Sequence, residues 1–426
     1  MVRKTQSQSV RMIFKRNAWL LTGLMFLLTG EFPVIAQELL VTGYVRNYTG
    51  ILLNETGEFS ILQNTVYLNL EHRKGKAAFR ANPYIYHYSD RNQTFGLRQA
   101  YMDVYFHAVD LRVGKQQIIW GKADGVFITD IVSPKDLSEF LLPDFEEIRM
   151  GVTAVKADYY SGNHSLELVW LPFFTPTRMP EQESIWRPRS DFPMTPQFDD
   201  SDREVTGSLA NSEWFAKYSA LTPAVDFEIM AGYAWDDDPA MHVERTVDPQ
   251  TGQMTALTVK PKHHRLTLAG GSFSTTLGPA VLRGEGAFYA GKYFSTADTS
   301  AAEAVVRKNY LHYMFGLDYT LWGIHISGQF IQQMIRDYHP AMEQDEIEST
   351  LTLLARRDFL RETLTLEIFS YIGLNNGDAL IRPRLVYDLH DGFEILAGAN
   401  LFIGSQGRFG QYNDNDMGYV KIKYSF

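Results

Sequence analysis

The chain has 426 residues, with 40 Lys and Arg against 50 Asp and Glu, and it contains no cysteine. A net charge of -10 argues against a nucleic-acid partner, and the missing cysteines exclude disulfides, thiolate metal sites and a cysteine nucleophile. The chain is slightly hydrophilic on average, which excludes a bundle of membrane-spanning helices, although it contains 23 Tyr, 27 Phe and 7 Trp.

The N-terminal 36 residues have the pattern of a secretory signal peptide. Basic residues within 3–16 precede an apolar run at 18–30, and Ala36 ends a small-residue cleavage site. The apolar run is shorter than the about 20 residues that a membrane-spanning helix needs. We expect residues 1–36 to be removed after Sec-dependent export and residues 37–426 to form a single domain. A buried core helix is the alternative for the N-terminus.

After the signal peptide, nearly every segment alternates apolar and polar residues with a period of two. In 393–403, for example, Phe393 and Ile395 fall on one face of a strand, and Glu394 and Asn400 fall on the other. Most such segments are long enough for a tilted strand to cross the hydrocarbon layer of a membrane. Eighteen are predicted, at about 38–48, 61–71, 76–89, 94–107, 110–118, 151–160, 164–172, 211–221, 225–236, 262–275, 280–291, 308–320, 324–334, 346–357, 361–371, 379–389, 392–403 and 416–426.

The connections between these segments alternate in length. Every second connection is a tight turn, whereas the others include long polar loops at 119–150, 173–210, 237–261, 292–307 and 404–415. This parity is typical of bacterial outer-membrane barrels, which place short turns in the periplasm and long loops outside. Closure is required because open sheet edges cannot face lipid. The sequence therefore predicts an all-β fold, a transmembrane antiparallel up-and-down β-barrel of about 18 strands. It would lie in the Gram-negative outer membrane, in contact with lipid and lipopolysaccharide. A periplasmic β-protein with an apolar core is the alternative.

The connection 119–150 has the features of a loop that folds back into the barrel. Ser133, Pro134 and Asp136 form a helix-start pattern, so a short helix is predicted from Ser133 to about Leu142. Its apolar patch needs a packing surface, and long ordered loops usually have a function. We interpret 119–150 as an acidic constriction or plug loop, with an external lid as the alternative. The candidate residues of this loop are Trp120, Asp124, Asp130, Asp136, Glu139, Asp144, Glu146 and Glu147.

A motif at the start of this loop resembles a known group of proteins. The run Arg112-Val-Gly-Lys-Gln-Gln-Ile-Ile-Trp-Gly121 is followed by Asp124, Asp130 and Ser133-Pro-Lys-Asp136. This pattern resembles a little-characterised family of Gram-negative porin-like outer-membrane proteins and, more weakly, the alginate-export-type barrels. The C-terminal residues Tyr424 and Phe426 are similar to the aromatic signal that the barrel-assembly machinery reads. The resemblance implies an outer-membrane channel.

The alternation also assigns charged side chains to the pore face, because an Arg or Lys facing lipid at the midplane costs about 2–4 kcal/mol. Nine basic residues fall on that face: Arg46, Arg80, Arg112, Lys156, Arg283, Arg382, Arg384, Lys421 and Lys423. Eight of them lie on strands that are near neighbours in a closed barrel, so an acidic loop opposite this arc would create a transverse field. The alternative is that these charges only solvate a wide lumen, which also contains the acids Asp103, Glu167, Glu285, Asp388 and Glu394.

Tyrosines cluster near the third and fourth predicted strands, at Tyr84, Tyr86, Tyr88, Tyr101 and Tyr105. We favour an outward girdle at the membrane interface, typical of barrel aromatics, over an inward stacking surface for sugar rings.

Catalytic motifs are missing from the sequence, which has no phosphate-binding loop, zinc-protease motif or serine-hydrolase motif. One set of polar residues on a single hairpin suggests a hydrolase: His312, Asp318, His325 and Ser327. Polar residues are expected in a lumen anyway. Acid clusters at 199–200, 236–238 and 414–416 are interpreted as solvated loop charge and not as metal sites.

We therefore predict a porin-like channel, without enzyme activity, cofactor or metal, that passes small polar or charged solutes. The alternative is the barrel component of an export or uptake system for polysaccharide or lipid, which would work with a periplasmic or inner-membrane partner.

Overall fold

The computed structural model describes residues 39–89, 93–189, 192, 194–298 and 300–426. The predicted signal peptide lies outside the described residues. The chain divides into two compact units, Met1–Leu40 and Val41–Phe426, and of the first only Leu39 and Leu40 are described, both in extended conformation. The architecture given below is that of the second unit. Among the described residues, no helix is long and apolar enough to cross a membrane.

Eighteen strands join in one closed ring. They are β1 (Leu39–Leu52), β2 (Phe59–Lys74), β3 (Ala77–Tyr88), β4 (Thr94–Tyr105), β5 (Val109–Gln116), β6 (Val152–Ser161), β7 (His164–Leu171), β9 (Glu213–Leu221), β10 (Asp226–Trp235), β13 (Arg265–Leu277), β14 (Ala280–Ser295), β15 (Val305–Leu321), β16 (Ile324–Ile335), β17 (Ile347–Phe359), β18 (Leu364–Gly373), β19 (Asp378–His390), β20 (Phe393–Ile403) and β21 (Met417–Ser425). Successive ring strands pair antiparallel, and β21 pairs back onto β1, with Lys423 opposite Arg46. Each predicted segment overlaps one ring strand, so the predicted 18-stranded barrel is confirmed.

The two faces of the ring differ in polarity. On β15, Phe315 and Leu317 point outward and are about half exposed, whereas Met314 points inward and is fully buried. The registers align charged residues on the inner face of neighbouring strands, as at Lys423, which lies opposite both Arg46 and Glu394. An apolar outer surface around a polar interior is the arrangement that a lipid bilayer stabilises.

The connections keep the predicted parity of length. Short turns occupy one end of the barrel, and the longer connections 117–151, 172–212 and 236–264 join strand ends at the other end. The turn between β15 and β16 consists of Trp322 and Gly323, both with positive φ, at 52° and 75°. Turns of this conformation match the twist of antiparallel strands, which explains the tight hairpin.

Two of the long connections contain a small sheet that the sequence reading missed. It consists of β8 (Gln197–Phe198), β11 (Ala240–Val247) and β12 (Met254–Lys262). Strands β11 and β12 form a hairpin, and β8 adds to β12 in parallel.

The helix predicted for 133–142 is wrong. The backbone N–H of Asp136 donates to the carbonyl of Ile148 at 2.6 Å, so this stretch pairs as extended chain. The Asp136 carboxylate then accepts the backbone N–H and the hydroxyl of Ser138, at 3.1 and 2.6 Å, which forms a turn. The short helix of the connection lies further on, at Phe145–Ile148.

Candidate functional site

The connection 117–151, termed the lumen segment below, lies inside the barrel. It contacts the Arg46 side chain of β1 through Glu147 and the Arg283 side chain of β14 through Asp124, and these strands stand on opposite sides of the ring. Its other polar contacts reach inner-face side chains of β3, β4, β7, β10, β16, β18, β19 and β21. The segment therefore crosses the lumen and does not form an external lid.

The strongest attachment of the lumen segment to the wall is Glu285 of β14. Its carboxylate is 4% exposed and accepts the backbone N–H groups of Lys122, Ala123 and Thr129 at 2.6, 3.0 and 2.7 Å, together with the Thr129 hydroxyl at 2.9 Å. Charge-assisted hydrogen bonds of this kind are about twice as strong as neutral ones. One buried wall carboxylate thus fixes the backbone of the lumen segment at two places.

Other wall side chains also bind the backbone of the lumen segment. Arg382 donates to the carbonyls of Leu141 and Leu142 at 2.9 and 2.7 Å, and the Tyr371 hydroxyl donates to the carbonyl of Gly125 at 2.8 Å. Gly125 has a φ of 82°, and a Cβ there would lie 2.5 Å from the Phe369 ring, so glycine is required for this close approach. Apolar side chains of the segment are buried in a cluster with wall residues, among them Leu141, Leu142 and Ile148.

Two acids of the lumen segment pair with the basic arc of the wall. Glu147 lies 2.9 Å from Arg46 and 3.6 Å from Arg98, and Asp144 lies 3.4 Å from Lys421 and 4.0 Å from Arg384. The arc is therefore partly neutralised by the segment.

The electrostatics of Asp144 follow from these neighbours. Partial burial raises the pKa of its carboxyl, but the cations Lys421, Arg46 and Arg384 outweigh that effect and lower the pKa to about 2. Asp144 therefore remains ionised throughout the neutral and mildly acidic range.

The remaining candidate acids have different partners. Asp130 accepts the backbone N–H groups of Trp120 and Gly121 at 2.7 and 2.8 Å and binds Arg149 at 2.6 Å, so it organises the segment internally. Asp136 binds Arg178 of the next long connection at 2.7 Å. These acids do not face the basic arc. Glu146 is exposed, and Glu139 lines a small pocket beside the segment.

Trp120 is a packing and anchoring residue. Its ring is 2% exposed, contacts the Phe215 ring edge-on at 6.1 Å, and donates its indole N–H to Glu167 of β7 at 2.6 Å.

The other basic residues of the pore face pair with acids of the wall. Arg112 binds Asp103 at 2.7 Å, and Lys423 binds Glu394 at 3.1 Å. Further pairs are Arg80 with Glu71, Lys156 with Asp158, and Arg384 with Glu367. All nine predicted basic residues share the inner face, and eight of them lie on the arc from β19 through β1 to β6.

The expectation of an outward tyrosine girdle at strands β3 and β4 is wrong. Tyr86 accepts a hydrogen bond from Arg98 at 2.9 Å and lies 3.5 Å from Glu147 of the lumen segment. The Tyr84 ring packs beside the Tyr86 ring in a tilted arrangement, with centroids 4.5 Å apart. Strand registers and side-chain contacts put Tyr88, Tyr101 and Tyr105 on the same inner face. Arginine guanidinium groups stack on such rings, which explains why a basic lumen wall holds them.

The four hydrolase candidates do not assemble. Ser327 lies opposite Asp318 on the hairpin, but its hydroxyl accepts from Arg283, which also binds Asp318. His312 is six residues along β15 from Asp318, roughly 20 Å at about 3.3 Å per strand residue. His325 pairs in register with Thr320 and is exposed.

The acid clusters of the outer loops are mostly paired with cations. Asp236 binds Lys292 at 2.6 Å, and Asp238 lies 3.7 Å from Lys135 of the lumen segment. Asp414 lies 3.3 Å from Arg189. Asp416 accepts the backbone N–H of Phe402 at 2.6 Å.

A cavity of about 500 Å³ lies on the long-loop side of the lumen segment. Its floor is formed by residues of the segment such as Phe127 and Ile131. Its walls are the loop-side ends of β10 and β13–β17, with Tyr289, Tyr310 and His312 among the lining residues. A solute that enters from the long-loop side meets this cavity before it meets the segment.

Several residues of the site were missed by the sequence reading. Three arginines bind acids of the lumen segment: Arg98, Arg149 and Arg178. The alternation pattern does not assign Arg98 to the pore face, and Arg149 and Arg178 lie in connections, where no such pattern exists. Residue type alone gives no signal for such contacts. The alternation did mark Glu285 as a pore-face acid, but not as an anchor.

A family model described as "Protein of unknown function (DUF1302)" matches residues 70–363, which is more than half of the chain. The chain belongs to this family. The resemblance carried by the motif at 112–136 and the similarity to alginate-export barrels both stay predictions. No curated protein matches the chain in sequence.

Solved structures with the same fold come from Gram-negative outer-membrane channels. OccK8 (OprE) of Pseudomonas aeruginosa aligns with a TM-score of 0.55 and 10% identity over 91% of this chain and 98% of its own. OccAB3 of Acinetobacter baumannii aligns with a TM-score of 0.53 and 10% identity over 91% and 99%. OccK2 (OpdF) of Pseudomonas aeruginosa, solved with glucuronate, aligns with a TM-score of 0.52 and 12% identity over 91% and 98%. At such identities the similarity shows the fold, a closed barrel of the outer-membrane porin type.

Proposed function

We propose that this protein is an outer-membrane channel for small polar or charged solutes, with the lumen segment as its constriction. The observation that carries the proposal is a closed barrel with an apolar exterior and a charged interior that is crossed by one anchored segment. Only a membrane gives an apolar outer face of this extent a favourable environment. The polar inner face provides a hydrated path, because its charges lie around a lumen and not in a packed core.

The constriction role of the lumen segment is supported by its attachments. Glu285, Arg382 and Tyr371 fix its backbone from separate strands, so it is held as a rigid element and not as a loose loop. Asp144 and Glu147 at one edge pair directly with four wall cations, so the segment is closed against that side of the wall by ion pairs. Ionised groups along the lumen favour polar solutes over apolar ones.

The same attachments favour one alternative, in which the segment is a plug of an export or uptake barrel that opens only with a periplasmic or inner-membrane partner. A segment that has polar contacts with ten ring strands leaves less open lumen than a loop attached to one wall. In that case the isolated barrel would not conduct.

Planar-bilayer conductance of the purified protein tests the proposal. The wild-type barrel should give steady single-channel currents, and replacing 123–147 by a short Gly-Ser linker should increase the single-channel conductance. A matched variant in which the hairpin tip 248–253 is replaced by a two-residue turn should conduct like the wild type, because that tip is exposed and lies outside the cavity lining. A silent wild type that conducts only after the deletion would favour the plug, and silence of all variants would reject the channel.

A further inference from the structure

We propose that the cavity above the lumen segment is a binding site for organic cations, namely ammonium groups attached to an apolar or aromatic body. This inference names the class of solute that the proposed channel would pass. It rests on the proposed function only for passage of the solute beyond the cavity. The binding step itself can be measured without conduction.

The first observation is a row of polar side chains without partners. His312, Gln333 and Glu348 lie side by side on β15, β16 and β17, because His312 is opposite Gln333 and Gln333 is opposite Glu348. All three line the cavity. None of the three side chains makes a hydrogen bond or an ion pair with a described residue, and His312 is only 6% exposed with its Nε2 unpartnered.

The unpartnered Nε2 of His312 is costly at such depth unless something binds it, whereas Gln333 and Glu348 are half-buried and open to the cavity. A buried polar atom without a partner costs about 1–3 kcal/mol, so native structures rarely keep one without a function. The Glu348 carboxylate, the Gln333 amide oxygen and an unprotonated His312 nitrogen can all accept hydrogen bonds, and an ammonium group offers three donors and no acceptor. The row therefore matches an ammonium group better than it matches a carboxylate.

The second observation is the charge of the cavity. Six carboxyl and three cationic side chains line it. Asp236 and Asp238 each hold a lysine of the protein, and burial beside other carboxylates raises the pKa of Asp237 well above its usual range, so Asp237 adds no charge. Asp345 and Glu348 have no ion-pair partner among the described residues, against one unpaired guanidinium at Arg408. The unpaired charge of the cavity is therefore negative.

The third observation is a wall of aromatic rings beside the polar row. Tyr310 lies 5.7 Å from Tyr289, 5.8 Å from Phe294 and 6.1 Å from His312, measured between ring centroids. Aromatic faces attract cations by about 0.5–2 kcal/mol each and also bury apolar groups. Rings next to uncompensated carboxylates are the combination that selects an organic cation over a hydrated metal ion.

Calorimetric titration of the full barrel in detergent tests this inference with three compounds that differ in charge. The compound 2-phenylethylammonium should bind, whereas the neutral 2-phenylethanol should bind at least tenfold more weakly and the anion phenylacetate should not bind. Equal binding of the alcohol or the anion, or no binding of the ammonium compound, would overturn the inference.

Matched variants locate the site. Glu348→Gln keeps the shape of the side chain and removes its charge, and it should weaken binding of the ammonium compound at least tenfold. Glu343→Gln makes the same chemical change at an exposed position outside the cavity and should leave binding unchanged. Asp345→Asn and Tyr310→Leu provide independent variants, each expected to weaken binding severalfold. Unchanged binding in Glu348→Gln, Asp345→Asn and Tyr310→Leu alike would overturn the inference.

Conductance of the same preparation separates the two proposals. A barrel that conducts but does not bind the ammonium compound would reject only the cation site. A barrel that binds the compound through Glu348 but never conducts would support the cation site and reject the channel.

Discussion

Glu285 Oε1 accepts both the backbone N–H and the hydroxyl of Thr129, at 2.7 and 2.9 Å, although the two residues are 156 positions apart in the chain. The other oxygen of the same carboxylate accepts the N–H groups of Lys122 and Ala123. A wall acid thereby binds two separate points of the lumen segment, so the position of the segment depends on one side chain of β14.

Removing this carboxylate should loosen the segment without unfolding the barrel. Glu285→Ala leaves four donors without their acceptor, and hydrogen bonds to charged groups contribute about 1.5–3 kcal/mol each, so we expect a loss of at least about 3 kcal/mol in local stability. Hydrogen exchange of the amides in 121–130 should accelerate by two orders of magnitude or more, and single-channel currents should become noisier. Glu394→Ala is the control, because that carboxylate binds Lys423 on the wall. Equal protection in both variants would contradict the anchoring role.

Ion selectivity should depend on the two acids that face the basic arc. Asp144→Asn combined with Glu147→Gln removes two negative charges beside Arg46, Arg98 and Lys421, so the reversal potential in a salt gradient should shift toward anions. The shift should shrink at high salt, because the Debye length falls from about 10 Å at 0.1 M to about 3 Å at 1 M.

The control for selectivity is Glu71→Gln, which removes a wall acid that pairs with Arg80 and does not contact the lumen segment. It should shift the reversal potential much less. An equal shift in both variants would mean that the whole lumen, and not the constriction, sets the selectivity.

Asp144 should also give a defined pH dependence of stability. Its pKa is lowered to about 2 in the folded protein from an ordinary value of 3.8, so its contribution is present above about pH 4 and disappears as the pH falls toward 2. The difference in thermal unfolding temperature between the wild type and Asp144→Asn should therefore be constant from pH 7 to 5 and vanish near pH 2. A difference that disappears between pH 7 and 5 would show that the cations do not hold this carboxylate ionised.

The barrel could be predicted from the sequence because its physical cause is local. A strand with lipid on one side and water on the other must alternate, and segments such as 393–403 carry that pattern in the chain itself. The alternation of short and long connections then predicts the up-and-down strand order, and this step needs no knowledge of contacts between distant residues.

The lumen segment could be predicted only in outline, because its conformation depends on distant partners. The pattern at 133–136 favours a helix locally, but pairing of Asp136 with Ile148 and Arg178 overrides it. Asp144 and Glu147 pair with the basic arc of the wall, whereas Asp130 binds the backbone of its own segment. The tyrosines of β3 point inward because they bind the guanidinium group of Arg98. The period-two pattern alone does not place Arg98 in the lumen.

The orientation of the barrel in the membrane is testable by single-cysteine labelling, since the chain has no cysteine of its own and therefore no background. Gln250 lies at the exposed tip of the β11–β12 hairpin, and Asn163 lies at the exposed short turn between β6 and β7. If the long loops face outward, a membrane-impermeant maleimide should label Gln250→Cys in intact cells and should label Asn163→Cys only after the outer membrane is permeabilised. Labelling of both in permeabilised cells is the control for folding and access. Labelling of Asn163→Cys in intact cells, with Gln250→Cys protected, would reverse the orientation and move the proposed cation site to the periplasmic entrance.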